Sequence, residues 1–180
     1  MPEDRFSPKS MFADVIRAFA IPSFTAVVTA SIIAGMSQGM VQALIIYTGT
    51  YFFELSPNQM TFLFTGGVVG VVTGSLLTRP LSGIFKEKKH LYIAGHCWYA
   101  ILTSYVIILR LMDLLPPNSD PLIAPLYIIS GTISGIGLGA AIPLTSSMIA
   151  DVTDEHERRY KRRQEGIYYA AASFAGKAIG

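Results

Sequence analysis

Tyr169, Ser173 and Lys177 stand at i, i+4 and i+8, so a helix would stack them on one face. A phenol, a hydroxyl and an ammonium in one stripe can hydrogen-bond a polar solute or hold an anion. The surrounding segment, 166–180, is otherwise nearly all apolar. A lysine in such a segment is costly and is by default a functional-site hypothesis. Lys177 lies eleven residues beyond Gly166, about 16 Å along a helix axis. That depth is close to the bilayer midplane, where transporters place solute and ion sites. The ammonium needs a carboxylate, a solute oxygen or water there, or else it must snorkel to an interface. Glu54, Asp113 and Asp151 all fall at the ends of apolar stretches. An anionic partner is therefore expected from outside this chain.

A second polar stripe consists of Ser31, Gly35, Gln38 and Gln42. Two glutamines one turn apart suit either of two roles. They can join helices through amide hydrogen bonds, or they can wall a polar cavity. His96 divides in the same way, between a hydrogen-bonded packing residue and a proton carrier. Asp154, His156 and Glu157 are metal-ligand types, but arginines crowd the same stretch and compete for the carboxylates, so ion pairing is expected there. No Ser-His-Asp set, paired-His metal site or nucleotide fingerprint is present, so the chain does not read as an enzyme.

These residues need a membrane scaffold to position them. Hydrophobic residues make up 51% of the 180 and charged residues 14%, where soluble domains carry about 25% charged. The net charge of +2 and the placement of the basic residues in loops argue against a nucleic-acid partner. The single cysteine, Cys97, has no disulfide partner and reads as a small packing residue. The N-terminus shows no signal-peptide pattern. Residues 1–20 read as a surface lead-in with a mildly amphipathic face.

Apolar runs predict an all-α polytopic membrane protein with helices at about 23–53, 60–85, 91–112 and 122–149, and a further one starting at 166 and running to 180. The last run is too short to cross about 30 Å of hydrocarbon, so the chain reads as a fragment or a truncated product. Residues 54–59 (ELSPNQ) and 113–121 read as turns without Lys or Arg. Loops 86–90 and 151–165 are rich in basic residues. This alternation predicts a multi-pass protein of the inner or plasma membrane, with a cytoplasmic N-terminus. Pro80 and Pro143 mark places where a helix can kink. Gly131, Gly135 and Gly139, four apart, let another helix approach closely.

Ala150-Asp151, Asp154, Arg163, Glu165, Ile167, Tyr169 and Lys177 together resemble the glycoside–pentoside–hexuronide:cation symporters. These form the melibiose-permease-like branch of the major facilitator superfamily. YTGTYFFELSPNQ and KEKKHLYIAG look like the first outer loop and the basic inner loop of the family's C-terminal half. The likeness is specific over 143–177 and loose over nearly the whole chain. It implies a partial C-terminal helical bundle, helices seven to ten and the start of eleven, whose N-terminal half lies outside this chain. It further implies alternating-access symport of a sugar or glycoside with Na⁺, H⁺ or Li⁺, and no other cofactor. Lys177 would correspond to the family's helix-eleven lysine, and Ser173 to a small hydroxyl near the sugar. Ala172 stands where melibiose permease itself has an amide, which leaves a related sugar, a glycoside or a non-sugar solute open. Asp151, Asp154, Arg163 and Glu165 would form a cytoplasmic latch. Tyr169, Gln38 and Gln42 join Lys177 and Ser173 as the expected solute and cation vicinity. The partners are then the solute, the cation, the lipid and the missing half. The competing expectation is a membrane scaffold without transport.

Overall fold

The computed structural model describes residues 16, 19–20, 22–85 and 87–160, with side chains to 154. Four helices follow in order: α1 (Pro22–Tyr47, continued by a π-helical turn, Thr48–Phe52), α2 (Pro57–Ile84), α3 (Lys88–Leu111) and α4 (Ile123–Tyr160). No strand occurs among the described residues. All four helices are long and apolar enough to cross a membrane. The surface lead-in, apart from residues 16 and 19–20, and the segment after 160 lie outside the described residues.

The chain forms two compact units, Met1–Gly39 with Thr145–Gly180, and Met40–Leu144. In the second unit α4 is the hub. Its apolar window is 50% buried, against 17% for α2 and 22% for α3. The cause lies in two glycine-bearing faces. On the first, Thr132, Gly135, Ile136 and Gly139 meet the part of α2 that carries a glycine ladder, Gly66, Gly70 and Gly74, and Gly131 lies against the Leu63 side chain. A Cβ on Gly70 would collide with the Thr132 carbonyl, one on Gly74 with the Ile136 carbonyl, and one on Gly139 with the Val71 backbone. A Cβ on Gly135 would sit 2.8 Å from the Gly67 carbonyl oxygen. Lipid offers no hydrophobic drive between helices, so such backbone contact and interhelical hydrogen bonds hold them together. Ser75 Oγ donates to the Gly139 carbonyl at 3.1 Å, and Thr78 Oγ1 to the Ala140 carbonyl at 3.2 Å.

The second face of α4 meets α3. A Cβ on Gly137 would lie 2.7 Å from the Gly95 carbonyl and close to the Trp98 ring. The bare glycine makes room for Trp98 Nε1 to donate to the Ile133 carbonyl at 2.9 Å. Ser130 Oγ donates to the Leu102 carbonyl at 2.7 Å.

A compact apolar cluster closes the end of this unit that carries the turns 53–56 and 112–122. Phe53, Leu55, Leu63, Val106, Ile123, Ala124 and Tyr127 are buried together, and Phe53 stacks on Tyr127 at 4.4 Å between ring centroids. Asn118 Nδ2 donates to the Phe52 carbonyl at 3.0 Å. Arg110 donates to the Leu115 and Pro116 carbonyls.

The structure corrects three sequence expectations. Residues 57–59 are helix rather than turn: Ser56 caps α2 in a capping box with Gln59, and Pro57 follows at the first helical position. Residues 151–160, expected as loop, continue α4 to Tyr160. DVTDEHERRY contains no Gly or Pro to stop a helix, and Glu and Arg favour one. Cys97, expected as a packing residue, is exposed on α3. Both α2 and α4 run on through their internal prolines, Pro80 and Pro143.

Candidate functional site

Within the unit Met40–Leu144, segments of all four helices wall a cavity of about 300 Å³. That lies at the lower end of small-molecule sites. α1 contributes Val41, Gln42 and Ile45, and α2 contributes apolar side chains including Phe64 and Val68. α3 adds Tyr99, Leu102 and Thr103, and α4 adds Tyr127, Ser130, Ser134 and Leu138. The lining is mostly apolar, with a few neutral polar groups. The close packing of α4 described above brings these groups together. Gly131 and Gly135 line the cavity as well as the α2 contact, so the same bare backbone serves both.

The polar groups differ in how they are already engaged. Ser130 Oγ gives its proton to the Leu102 carbonyl, and Ser134 Oγ gives its own to the Gly131 carbonyl at 2.8 Å. Both keep lone pairs but have no free proton. Thr103 Oγ1 is shut off from solvent and is engaged by the Tyr99 side chain. Gln42 is exposed at the cavity wall. Such a site can hold a neutral solute through directed hydrogen bonds and apolar contact.

Of the residues singled out from sequence, Gln42 lines this cavity, and Gln38 lies one turn earlier on the same helix, half-buried. Among the described residues nothing lies within 4 Å of where a Cβ on Gly35 or Gly39 would stand. Ser31 returns its hydroxyl to the Val27 carbonyl at 2.8 Å. Asp151 and Asp154 are exposed on the extended part of α4. Arg163, Glu165, Tyr169, Ser173 and Lys177 lie outside the described residues.

His96 Nδ1 lies 3.0 Å from the Tyr92 carbonyl, and its ring packs on Tyr92 with centroids 4.3 Å apart. Because a carbonyl only accepts, Nδ1 is the donor, as the packing role requires. Among the described residues no three His, Cys, Asp or Glu side chains gather to hold a metal.

Reading the sequence did not single out Thr103, Tyr99, Ser130 or Ser134. SGTISG around Ser130 and Ser134 was legible as a packing helix, but Thr103 sits in ILTSYVIIL, where nothing marks it. The α2 ladder had a readable signal, since Gly66, Gly70 and Gly74 repeat the four-residue spacing of α4.

A family model described as MFS/sugar transport protein matches residues 2–180. No curated protein and no solved structure matches the chain. With nearly its whole length matched, the chain belongs to the MFS/sugar transport protein family, whose members are membrane transporters.

Proposed function

We propose that this chain is part of a secondary active transporter that couples uptake of a sugar or glycoside to a cation by alternating access. The observation that carries the reading is the cavity walled by all four helices, with neutral hydrogen-bonding groups set in an apolar surround. Family membership supports the transport class. Gln42 contributes the α1 side of the solute path, with Gln38 one turn away.

Lys177, Ser173 and Tyr169 add a charged and hydroxylated stripe on the segment beyond 165. In this proposal Lys177 organises the site electrostatically, against an acidic residue of a second transporter half or against solute oxygens. Asp151 and Asp154 belong to a cytoplasmic latch with Arg163 and Glu165, whose ion pairs re-form as the halves rock. Exposed pairs of this kind contribute only about 0–1 kcal/mol each, so the latch tunes an equilibrium rather than locking it. The N-terminus faces the cytoplasm, in keeping with the basic residues of 86–90 and 151–165.

Uptake of labelled sugars into proteoliposomes under Na⁺, Li⁺ or proton gradients tests the reading. Gradient-driven uptake that falls to background with Lys177→Ala supports it. Wild-type uptake by that variant removes Lys177 from the mechanism. An absence of gradient-driven uptake by the wild-type protein favours a scaffold role instead.

A further inference from the structure

We propose that the cavity of the unit Met40–Leu144 takes the apolar aglycone of a glycoside, and that the bare backbone of Gly67 makes room for it. The inference rests on the transport reading above and narrows its substrate class.

The glycines of α2 are of two kinds. A Cβ on Gly66 would collide with the Thr132 side chain, one on Gly70 with the Thr132 carbonyl, and one on Gly74 with the Ile136 carbonyl. Those three are bare because α4 lies against them. Gly67 is different. Among the described residues nothing lies within 4 Å of where its Cβ would stand, yet it is half-buried and lines the cavity. Its carbonyl does approach α4, but the bare residue that this requires is Gly135. Glycine weakens a helix interior, and helix packing does not call for one at position 67. Phe64, Gly67, Val68 and Val71 stand at i, i+3, i+4 and i+7, on one face of α2, and all four line the cavity. A side chain at 67 would therefore enter the cavity, and its absence is part of the cavity's volume.

The chemistry of the wall selects the guest. Val41, Ile45, Phe64, Val68, Val72 and Leu102 present only carbon. Ser130 and Ser134 have given their hydroxyl protons to the Leu102 and Gly131 carbonyls, and Thr103 Oγ1 is closed to solvent. A sugar ring buried here would leave most of its hydroxyls without partners, which is costly. A phenyl or short alkyl group gains by burial instead. The size agrees: the cavity holds about 300 Å³, and an apolar cavity of about 150 Å³ takes benzene. The sugar then belongs on the Gln42 side, where the amide is exposed at the cavity wall and offers both donors and an acceptor.

The test is equilibrium binding of radiolabelled methyl and phenyl hexosides to the protein in lipid nanodiscs, with partition into protein-free nanodiscs subtracted. Wild type is expected to bind a phenyl hexoside about tenfold to a hundredfold more tightly than the methyl hexoside of the same sugar, as burial of one such group implies. Gly67→Ala, Gly67→Val and Gly67→Leu are expected to shrink that ratio in order of size, with leucine bringing it to within about twofold of unity. Methyl hexoside binding stays within about twofold of wild type. Gly67→Ala melts at or above wild type without solute, which a glycine needed for helix packing would not allow. Equal affinity of wild type for the two hexosides overturns the proposal, and is the result if a lipid chain fills the cavity. So does a ratio that survives the whole series, a parallel loss of both hexosides, or a fall in the melting temperature of Gly67→Ala. Wild type that binds neither hexoside overturns the sugar reading itself, so the two failures are told apart.

Discussion

α1 with its π turn and α4 are nearly matched as membrane spans: both exceed thirty residues and they are equally apolar, yet 11% of the apolar window of the first and 50% of that of the second is buried. Hydropathy places both in lipid and does not say which one the others gather around. The difference lies in what faces each glycine. On α4, Gly135, Gly137 and Gly139 meet backbone atoms of α2 and α3, whereas on α1 Gly35 and Gly39 meet nothing within 4 Å among the described residues. The same residue type closes an interface in one helix and makes no such contact among the described residues in the other. Within the unit Met40–Leu144, α4 therefore reads as the structural axis, and Gln42 is the polar side chain that α1 brings to the cavity wall.

Substitutions at the two kinds of glycine break this comparison most directly. Gly74→Leu drives a side chain into the Ile136 carbonyl and the Ala140 backbone. The expected loss is about 3 kcal/mol or more, because backbone cannot move aside as a side chain can. Thermal unfolding in detergent checks it. Gly139→Leu should behave alike from the other side of the contact. If either variant melts with wild type, the ladder is not what holds α2 to α4.

A smaller effect is expected at Ser130, whose hydroxyl ties α4 to the Leu102 carbonyl. Ser130→Ala should lower stability by about 1 kcal/mol, as read by thermal unfolding in detergent. In α1, Gly35→Ala is expected to raise stability by up to about 1 kcal/mol, since it enters open space and favours helix. A clear loss there would mean that the α1 face is packed after all.

The smallest effect concerns the exposed turn before α3. Lys89 Nζ lies 2.6 Å from a Glu87 carboxylate oxygen, and its hydrogen bond and charge hold the Glu87 carboxyl below the ordinary range. A depressed carboxylate pKa favours the fold above its unfolded value, and that contribution is lost as pH falls through the folded one. Lys89→Ala should move the Glu87 midpoint upward, as read by carboxyl-carbon NMR. Full exposure makes any change in stability slight.

The membrane class, the four spans and the close-approach glycines of α4 were legible because each is a one-dimensional pattern of length, hydropathy or four-residue spacing. The start of α2 was legible too, as Ser56-Pro57-Asn58-Gln59, but only when weighed as a cap instead of as turn chemistry. The charge of 151–160 suggested a loop, yet charge is no obstacle to a helix where Gly and Pro are absent. Gln42 carried a visible signal, as a polar residue in an apolar stretch. Thr103 carried none, because its place in the cavity wall depends on how the helices pack. The π turn at Thr48–Phe52 was equally hidden. Within it Gly49 lies against the Met60 side chain of α2, a contact between two helices.

The central claim is that Gln42 of α1 serves the solute at the cavity wall. Gradient-driven uptake by Gln42→Leu, measured beside its melting temperature, tests this most directly. Gln42 is exposed at the cavity wall. The expected result is uptake reduced at least about tenfold, as loss of one good hydrogen bond implies, with melting unchanged. Full uptake by this variant, or a loss of uptake matched by a loss of stability, would contradict the account.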